Sequence, residues 1–406
     1  MPTEPPDEEF RARVRSFLAE NAEREQWIRD EHGRPRSDDA PNDERVARAR
    51  RCLTLLFEAG LGALTWPERF GGQGLTNRQQ VIFNQEAAEY DLPLGMFVIG
   101  HGMCAPTLLA HGTDDQRDRY LPRLLRGHDI WCQMFSEPEA GSDLASISCR
   151  AEPDGDGWVM NGQKVWTSGA HNSTYGMLLA RSDPTLHRHG GMTMYIIEMN
   201  DPGVEVRPLR QMSGTSRFNE VFFDDCHVGP GAVLGEVGQG WRTAMTTLMN
   251  ERVSIGTSSP GGTGHPVSAL IAEARQAGRL ADVAIVDRLV GVQIRQRMVA
   301  LLGERVTQAL LAGEEPGPEG SLAKLAGTQL SKDSAALAME IVGPASIGWP
   351  VDDRDQAMWA TVLTNAPGLS IAGGTDEIMR NIVAERVLGL PRDPRPDEST
   401  RGDGDG

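Results

Sequence analysis

The 406-residue sequence contains no run of eighteen apolar residues, so it offers no helix suited to a membrane span. Its first residues, Met1 to Glu9, are acidic and proline-rich. Without a basic stretch ahead of an apolar core they do not read as a signal peptide, and cytoplasmic residence is the default expectation. Cysteine is sparse. Cys52, Cys104, Cys132, Cys149 and Cys226 form no Cys-x-x-Cys pair, and no Cys/His cluster has metal-ligand spacing. Free thiols and no metal are therefore expected. Positive charge is in deficit as well. A formal charge of −17 repels a phosphate backbone and argues against nucleic-acid binding, though a few basic residues can still build a local anion site. No internal repeat is visible.

What is present is an ordinary globular composition, 39% apolar and 24% charged, on a chain too long for one compact core. The first part has helical periodicity. Phe10, Val14, Phe17 and Leu18 share one helix face, and further helical runs cover Arg45 to Leu61 and Val81 to Tyr90, with a polar loop from about Arg29 to Glu44. Thr113 and Gln116 have capping-box spacing ahead of a helix carrying Tyr120, Leu121 and Leu124. After about Gly127 the period changes. Gly157 to Trp166 reads as two strands turning at Asn161-Gly162, and Met192 to Met199, Val204 to Leu209 and Asn219 to Phe223 are further strand-like runs. From Trp241 helical periodicity returns, with long candidates over Ala244–Ile255, Val283–Leu302 and Leu322–Ile341, broken at Ser258–Pro266 and Gly313–Gly320. Four segments result: a helical region over 1–128, a β module over 129–233, a second helical region over 234–390, and a disordered tail over 391–406.

Three stretches carry a resemblance. They are Phe135-Ser-Glu-Pro-Glu-Ala-Gly-Ser-Asp143, Asn161-Gly-Gln-Lys-Val-Trp-Thr-Ser168 and the long run from Ile371-Ala-Gly-Gly-Thr-Asp-Glu377 to Pro391, with weaker matches at Leu64–Gly74 and Gly238–Arg252. Together, and in this order, they resemble the acyl-CoA dehydrogenase family over about residues 8 to 391. The resemblance implies an α+β multidomain fold: an N-terminal helical domain, a middle β-barrel and a C-terminal four-helix bundle. It implies FAD as cofactor, an acyl-CoA thioester as substrate, and an oxidoreductase that forms a carbon–carbon double bond. It further implies fatty-acid or sterol side-chain oxidation, electron-transfer flavoprotein as acceptor, and a dimeric or tetrameric oligomer.

Family positions transfer residue by residue. Gln133, Phe135 and Ser136 match backbone and hydroxyl contacts to the flavin ring, and the Ser136 hydroxyl matches one directed toward flavin N5. Trp166 matches an aromatic wall for the ring and Ser168 a second hydroxyl; serine stands where threonine is commoner at both hydroxyl positions. Without the motif, Trp166 reads as a barrel core residue. Ser142 matches a position near the acyl thioester, with a turn residue as the plainer alternative. Thr375 and Glu377 match positions beside the dinucleotide, and Gly373-Gly374 lets backbone approach a ligand closely.

The chemistry needs a carboxylate about 3 Å from the thioester's α-proton and donors to the oxygen that gains charge. Many family members carry the base where this chain has Gly373, whose backbone N–H remains as an oxyanion donor. Another branch places it on a helix of the C-terminal domain directly before an arginine, which here is Glu251-Arg252. Glu251 is therefore the candidate base and Arg252 its orienting or packing neighbour; outside that match the two read as a surface charge pair. An Arg-x-x-Phe-Gly segment that reaches a neighbouring subunit's FAD has no match between Ile255 and Arg305, and a later Gly-Gly pair reads Val342-Gly-Pro-Ala345. These departures resemble bacterial members built from unlike subunits, some of which act on sterol side chains. Other readings on the same scaffold are a dehydrogenase of carrier-protein-bound acyl groups, a flavin monooxygenase, and a non-catalytic partner subunit. His101 and His111 read as capping or core residues.

Overall fold

The structure is a computed structural model that describes residues 7–24, 42–186, 188–257, 266–312, 317, 320–348 and 358–392. Its first helix, α1 (Asp7–Asn21), buries Phe10, Val14 and Leu18, a stripe at i, i+4 and i+8. Three acids in its first turn suit the positive end of the helix dipole. That stripe meets α2 (Asn42–Glu58), through Ala49, Leu53 and Leu56, and α3 (Asn77–Ala87), through Ile82 and Phe83. A minimal antiparallel pair, β1 (Glu23–Arg24) and β2 (Tyr90–Asp91), ties the ends of this cluster.

A π-turn over Gly100–Cys104 leads into α4 (Ala105–His111). There burial pushes the His101 imidazole down to about 4, so the ring is neutral at neutral pH, with Nε2 3.0 Å from the Leu124 carbonyl. α5 (Asp114–Leu125) opens on the reciprocal cap expected from the sequence. The Gln116 N–H donates to the Thr113 hydroxyl at 3.2 Å, and the Thr113 N–H donates to the Gln116 side chain at 3.0 Å.

The middle of the chain is an eight-stranded sheet. It comprises β3 (Trp131–Met134), β4 (Arg150–Asp154), β5 (Gly157–Ser168), β6 (Tyr175–Arg181), β7 (Met192–Glu198), β8 (Val204–Leu209), β9 (Phe218–Val228) and β10 (Val233–Leu234). The path is β10-β7-β6-β4-β5-β9-β8, with β3 added in parallel against β6. The sheet shares one core of Met134, Met160, Leu178, Tyr195, Ile197, Val221 and Phe223.

One local expectation is corrected. Asn161-Gly162 is not a hairpin turn, because β5 runs unbroken from Gly157 to Ser168. Gly162 has φ 144° at a register slip, and a Cβ there would lie 2.8 Å from the Cys149 Cα. The glycine is required by that close approach of Cys149, the residue just before β4. The turn lies earlier, at residues 155–156 between β4 and β5.

The last part is helical again: α6 (Gly240–Thr257), α7 (Val267–Gln276), α8 (Val283–Leu311), α9 (Gly320–Val342), α10 (Met358–Leu369) and α11 (Asp376–Ile382). Leu270, Ile285, Leu289, Val292, Leu330, Leu337, Ile341 and Trp359 form its core. Most of the breaks expected at Ser258–Pro266 and Gly313–Gly320, part of the polar loop from Arg29, and the tail beyond Arg392 lie outside the described residues. Among the described residues no helix is long and apolar enough to cross a membrane.

α6 joins the three parts. Its start sits on β7: the Gly238 N–H donates to the Thr193 hydroxyl at 2.9 Å, and a Cβ on Gly240 would lie 2.7 Å from Thr193 backbone. Two turns on, the buried hydroxyls of Thr107 (α4) and Thr247 (α6) lie 3.0 Å apart, and His111 Nε2 lies 2.8 Å from the Thr246 hydroxyl. Burial, then the charge of Arg242, holds His111 below its ordinary value. α6 also packs on α9 of the bundle.

Because the two threonine hydroxyls share one buried hydrogen bond, their removal should be coupled. Thr107→Val and Thr247→Val should each lower unfolding stability by about 1 kcal/mol. The double variant should lose clearly less than the sum in urea melts. Strictly additive losses would show that the pair does not link α4 to α6.

Candidate active site

β5 breaks its own alternation inside the second motif. Lys164 points into the sheet and is fully buried, and a period of two would bury residue 166 beside it. Trp166 instead takes a left-handed φ of 59°, and the register against β9 slips between Lys164 and Thr167. The indole is thereby thrown outward to 60% exposure while Thr167 turns in. This conformation costs a non-glycine residue on the order of 1 kcal/mol. It excludes the core reading of Trp166 and presents a flat apolar face, with Phe218 edge-on 5.8 Å away. Ser168, half-buried, ends the strand opposite Phe218.

The first motif is fastened directly to the second. The Val165 N–H donates to the Ser136 carbonyl at 2.9 Å. Beneath it, Lys164 Nζ donates to the Phe135 carbonyl at 3.0 Å and to Glu137 Oε1 at 2.7 Å. Glu137 also accepts from the Ser148 N–H at 2.7 Å, the Ser148 hydroxyl at 2.8 Å and the Cys149 N–H at 2.9 Å. Burial pushes the Glu137 carboxyl up. The Lys164 charge and hydrogen bond and the two amides outweigh that and hold it below the usual glutamate range.

Gln133 is half-buried on β3, in register with Met177. The Phe135 ring packs in the core and its carbonyl is taken by Lys164, so that residue has only its N–H left to offer a ligand. Half-buried Ser136 differs: among the described residues neither its N–H nor its hydroxyl has a partner.

The motif continues to exposed Ser142 and then to Asp143, which pairs with Arg188 at 3.3 Å. Arg181 latches the β6–β7 loop here, donating to the carbonyls of Ala145 at 2.7 Å, Arg188 at 2.8 Å and Gly190 at 2.7 Å. His189 of the same loop stacks on Trp241 of α6 at 4.1 Å.

The third motif lies between α10 and α11. Gly373 and Gly374 have φ of 65° and 89°, and a Cβ on Gly374 would lie 2.5 Å from the Met379 methyl. No acceptor among the described residues takes the Gly373 N–H. The Thr375 hydroxyl caps α11, accepting from the Ile378 N–H at 3.2 Å. Glu377 is exposed and pairs with Arg380 at 3.2 Å. Buried Asp376 fastens the loop to α9, 2.9 Å from Lys324 Nζ and 3.6 Å from Lys332 Nζ. Burial pushes its carboxyl up, and the Lys324 and Ser370 hydrogen bonds with both lysine charges bring it below its ordinary value.

Glu251 sits on α6, half-buried, one turn beyond the Thr247 that faces α4. The side chain of Arg252 lies outside the described residues. The geometry thus joins the first two motifs by hydrogen bonds, anchors the third to the bundle, and carries Glu251 on the helix that touches all three parts. Sequence reasoning passed over Lys164, Glu137 and Asp376. All three stand inside the quoted motifs, and for Lys164 an ionisable residue at an inward strand position was the available signal. Arg181 and the Thr107–Thr247 pair had no local signal.

Three family models match the chain: the N-terminal domain of acyl-CoA dehydrogenase over residues 4–128, its middle domain over 132–226 and its C-terminal domain over 238–388. A curated relative, "Acyl-CoA dehydrogenase IpdE1" of Mycobacterium tuberculosis, is 40% identical over 391 residues, 96% of this chain and 99% of that one. The crystal structure of the ChsE4-ChsE5 complex from Mycobacterium tuberculosis is 27% identical with a TM-score of 0.73, covering 97% of this chain and 100% of that one. A structure titled "Tcur3481-Tcur3483 steroid ACAD" is 25% identical with a TM-score of 0.75 over 97% of this chain and 100% of that one.

Glu137 contributes stability that is fully present above its unfolded value, about 4.3, and lost as pH falls through its lower folded value. Glu137→Gln should therefore unfold more easily at neutral pH, by about 3 kcal/mol. The gap from wild type should narrow as acid is added below pH 4. A constant gap in urea melts across that range would remove Glu137 from the acid limb.

Proposed function

The chain belongs to the acyl-CoA dehydrogenase family, and from this premise we propose that it desaturates an acyl-CoA thioester at the α,β position with FAD as cofactor. The observation that carries the proposal is the outward Trp166 beside the unpartnered N–H and hydroxyl of Ser136. A flat apolar face next to free hydrogen-bond donors fits an isoalloxazine ring, with its apolar plane and polar edge. Ser136 and Ser168 would hold that edge, Trp166 would cover the plane, and Gln133 and Phe135 complete the sill. Thr375, Glu377 and the Gly373-Gly374 backbone would lie along the dinucleotide.

In this reading Glu251 removes the α-proton of the thioester. Arg252 orients that glutamate. The Gly373 N–H donates to the thioester carbonyl oxygen as negative charge gathers there. Ser142, exposed at the latch of Asp143 and Arg188, contacts the acyl thioester near its entry. Bound FAD would supply the acceptor for the hydride that leaves the β-carbon. The retained acid on α6 favours desaturation over a monooxygenase, which needs no α-proton base.

The substrate proposed is a bulky acyl-CoA of the sterol side-chain kind, in line with the neighbour titled a steroid ACAD. The acceptor proposed is an electron-transfer flavoprotein, and the compartment the cytoplasm. The chain is proposed to work as an oligomer with an unlike subunit. Val283, Val290, Ile294, Met298 and Leu301 stand exposed along one side of α8, an apolar face of the kind that subunit contact covers.

Acyl-CoAs of graded bulk, mixed anaerobically with the purified protein, should bleach the flavin band for at least one thioester. Glu251→Gln should slow that bleaching by roughly 10²-fold or more. An unchanged rate would take Glu251 out of the mechanism. Gel filtration with FAD titration checks the assembly: a homotetramer carrying one FAD per chain would rule out the unlike-subunit arrangement.

A further inference from the structure

We infer that Lys164 is a positioning residue for flavin binding, acting through the peptide between Phe135 and Ser136; the inference rests on the flavin reading above. Its ammonium lies wholly inside the sheet and donates to the Phe135 carbonyl at 3.0 Å. In a trans peptide the carbonyl and the following N–H point in opposite directions. A carbonyl held inward by Lys164 therefore turns the Ser136 N–H outward, to the side where Trp166 stands. The next carbonyl, of Ser136, is fixed by the Val165 N–H at 2.9 Å, and the Glu137 N–H is fixed by the Ala140 carbonyl at 2.9 Å. Every backbone group from the Phe135 carbonyl to the Glu137 N–H thus has a partner, except the Ser136 N–H. A half-buried donor left open by such complete local pairing is placed for an acceptor from outside the chain.

Glu137 makes the device workable. A lone ammonium in this core would be costly to bury, and the carboxylate 2.7 Å away offsets that cost. Glu137 is in turn held by Ser148 and Cys149, so the lysine head cannot drift toward solvent. A strand core needs no ion pair for packing alone, since apolar residues of similar volume serve there equally well. What the pair adds is a fixed direction for one peptide.

The test removes the pair while keeping its volume. Lys164→Met, Glu137→Gln and the double variant are purified in the oligomer as isolated, stripped of flavin and titrated with FAD. Affinity is read by quenching of flavin fluorescence, peptide placement by the long-wavelength flavin band, and folding by thermal melts of the flavin-free protein. The double variant should melt near wild type, bind FAD at least ten-fold more weakly, and show a displaced band. A double variant with wild-type affinity and an unshifted band would overturn the inference. Should the double variant not fold, Lys164→Arg keeps the charge and core pair but moves the donor from the Phe135 carbonyl. It should then show the displaced band at a normal melt, and an unshifted band would again overturn the inference. Wild-type protein that binds no FAD would overturn the flavin reading itself, and this inference with it.

Discussion

The buried ion pair between Lys164 and Glu137 is the constraint on which the candidate site depends. It joins two stretches of chain that the sheet alone does not hold together at this point: the loop after β3 and the second half of β5. Desolvating two charges is expensive, and it is offset here by close pairing and by three further donors to the carboxylate. Once Lys164 is committed inward, Trp166 can reach the outside only by a break in alternation. The left-handed residue and the slipped register are that break. One buried contact thus fixes both a backbone donor and an exposed ring.

The same economy governs the rest of the molecule's lysines. The chain has three, and each fastens a stretch that carries a family motif. Lys164 holds the first two motifs, while Lys324 and Lys332 hold the third through Asp376 and Ser370. A compact ammonium with three rotatable donors lets one Lys164 head serve a carbonyl and a carboxylate at once. Arginine serves where several carbonyls lie around one plane, as Arg181 does in latching the β6–β7 loop. α6 completes the assembly. Threonine and histidine side chains tie it to α4, and close glycine contact ties it to β7.

Much of the fold was legible because its signals are local. The stripe of Phe10, Val14 and Leu18 gives α1, and Thr113 with Gln116 gives the start of α5. The order helical, β, helical follows from the change of period alone. The failures are equally local in origin. Asn161-Gly162 carries the composition of a turn, yet the glycine is used for close approach of a neighbouring strand, and only the paired strand reveals that. Trp166 was ambiguous between core and surface because alternation predicts the core, and a single left-handed dihedral reverses the answer. The Lys164–Glu137 pair spans motifs 27 positions apart, and the Thr107–Thr247 pair spans 140. No local pattern encodes either. For the site residues themselves, the family resemblance supplied the roles and the residues supplied the chemistry; the packing that orients them was not readable.

Several departures from ordinary sequence–structure agreement fall together at the candidate site. A left-handed tryptophan, a large exposed aromatic, an unpartnered half-buried N–H and a wholly buried lysine all fall within the two hydrogen-bonded motifs. Each is unfavourable or wasteful for folding alone, and each is one a stability-driven sequence would remove. Relaxing any one disturbs the others. Returning Trp166 to regular alternation would bury the indole on the face that Lys164 occupies, and replacing the lysine would free the peptide that Ser136 shares with Phe135. Their persistence in one place is explained by a ligand that uses all of them at once. It would stack on the ring and accept from the N–H, with the strain held in advance by the sheet.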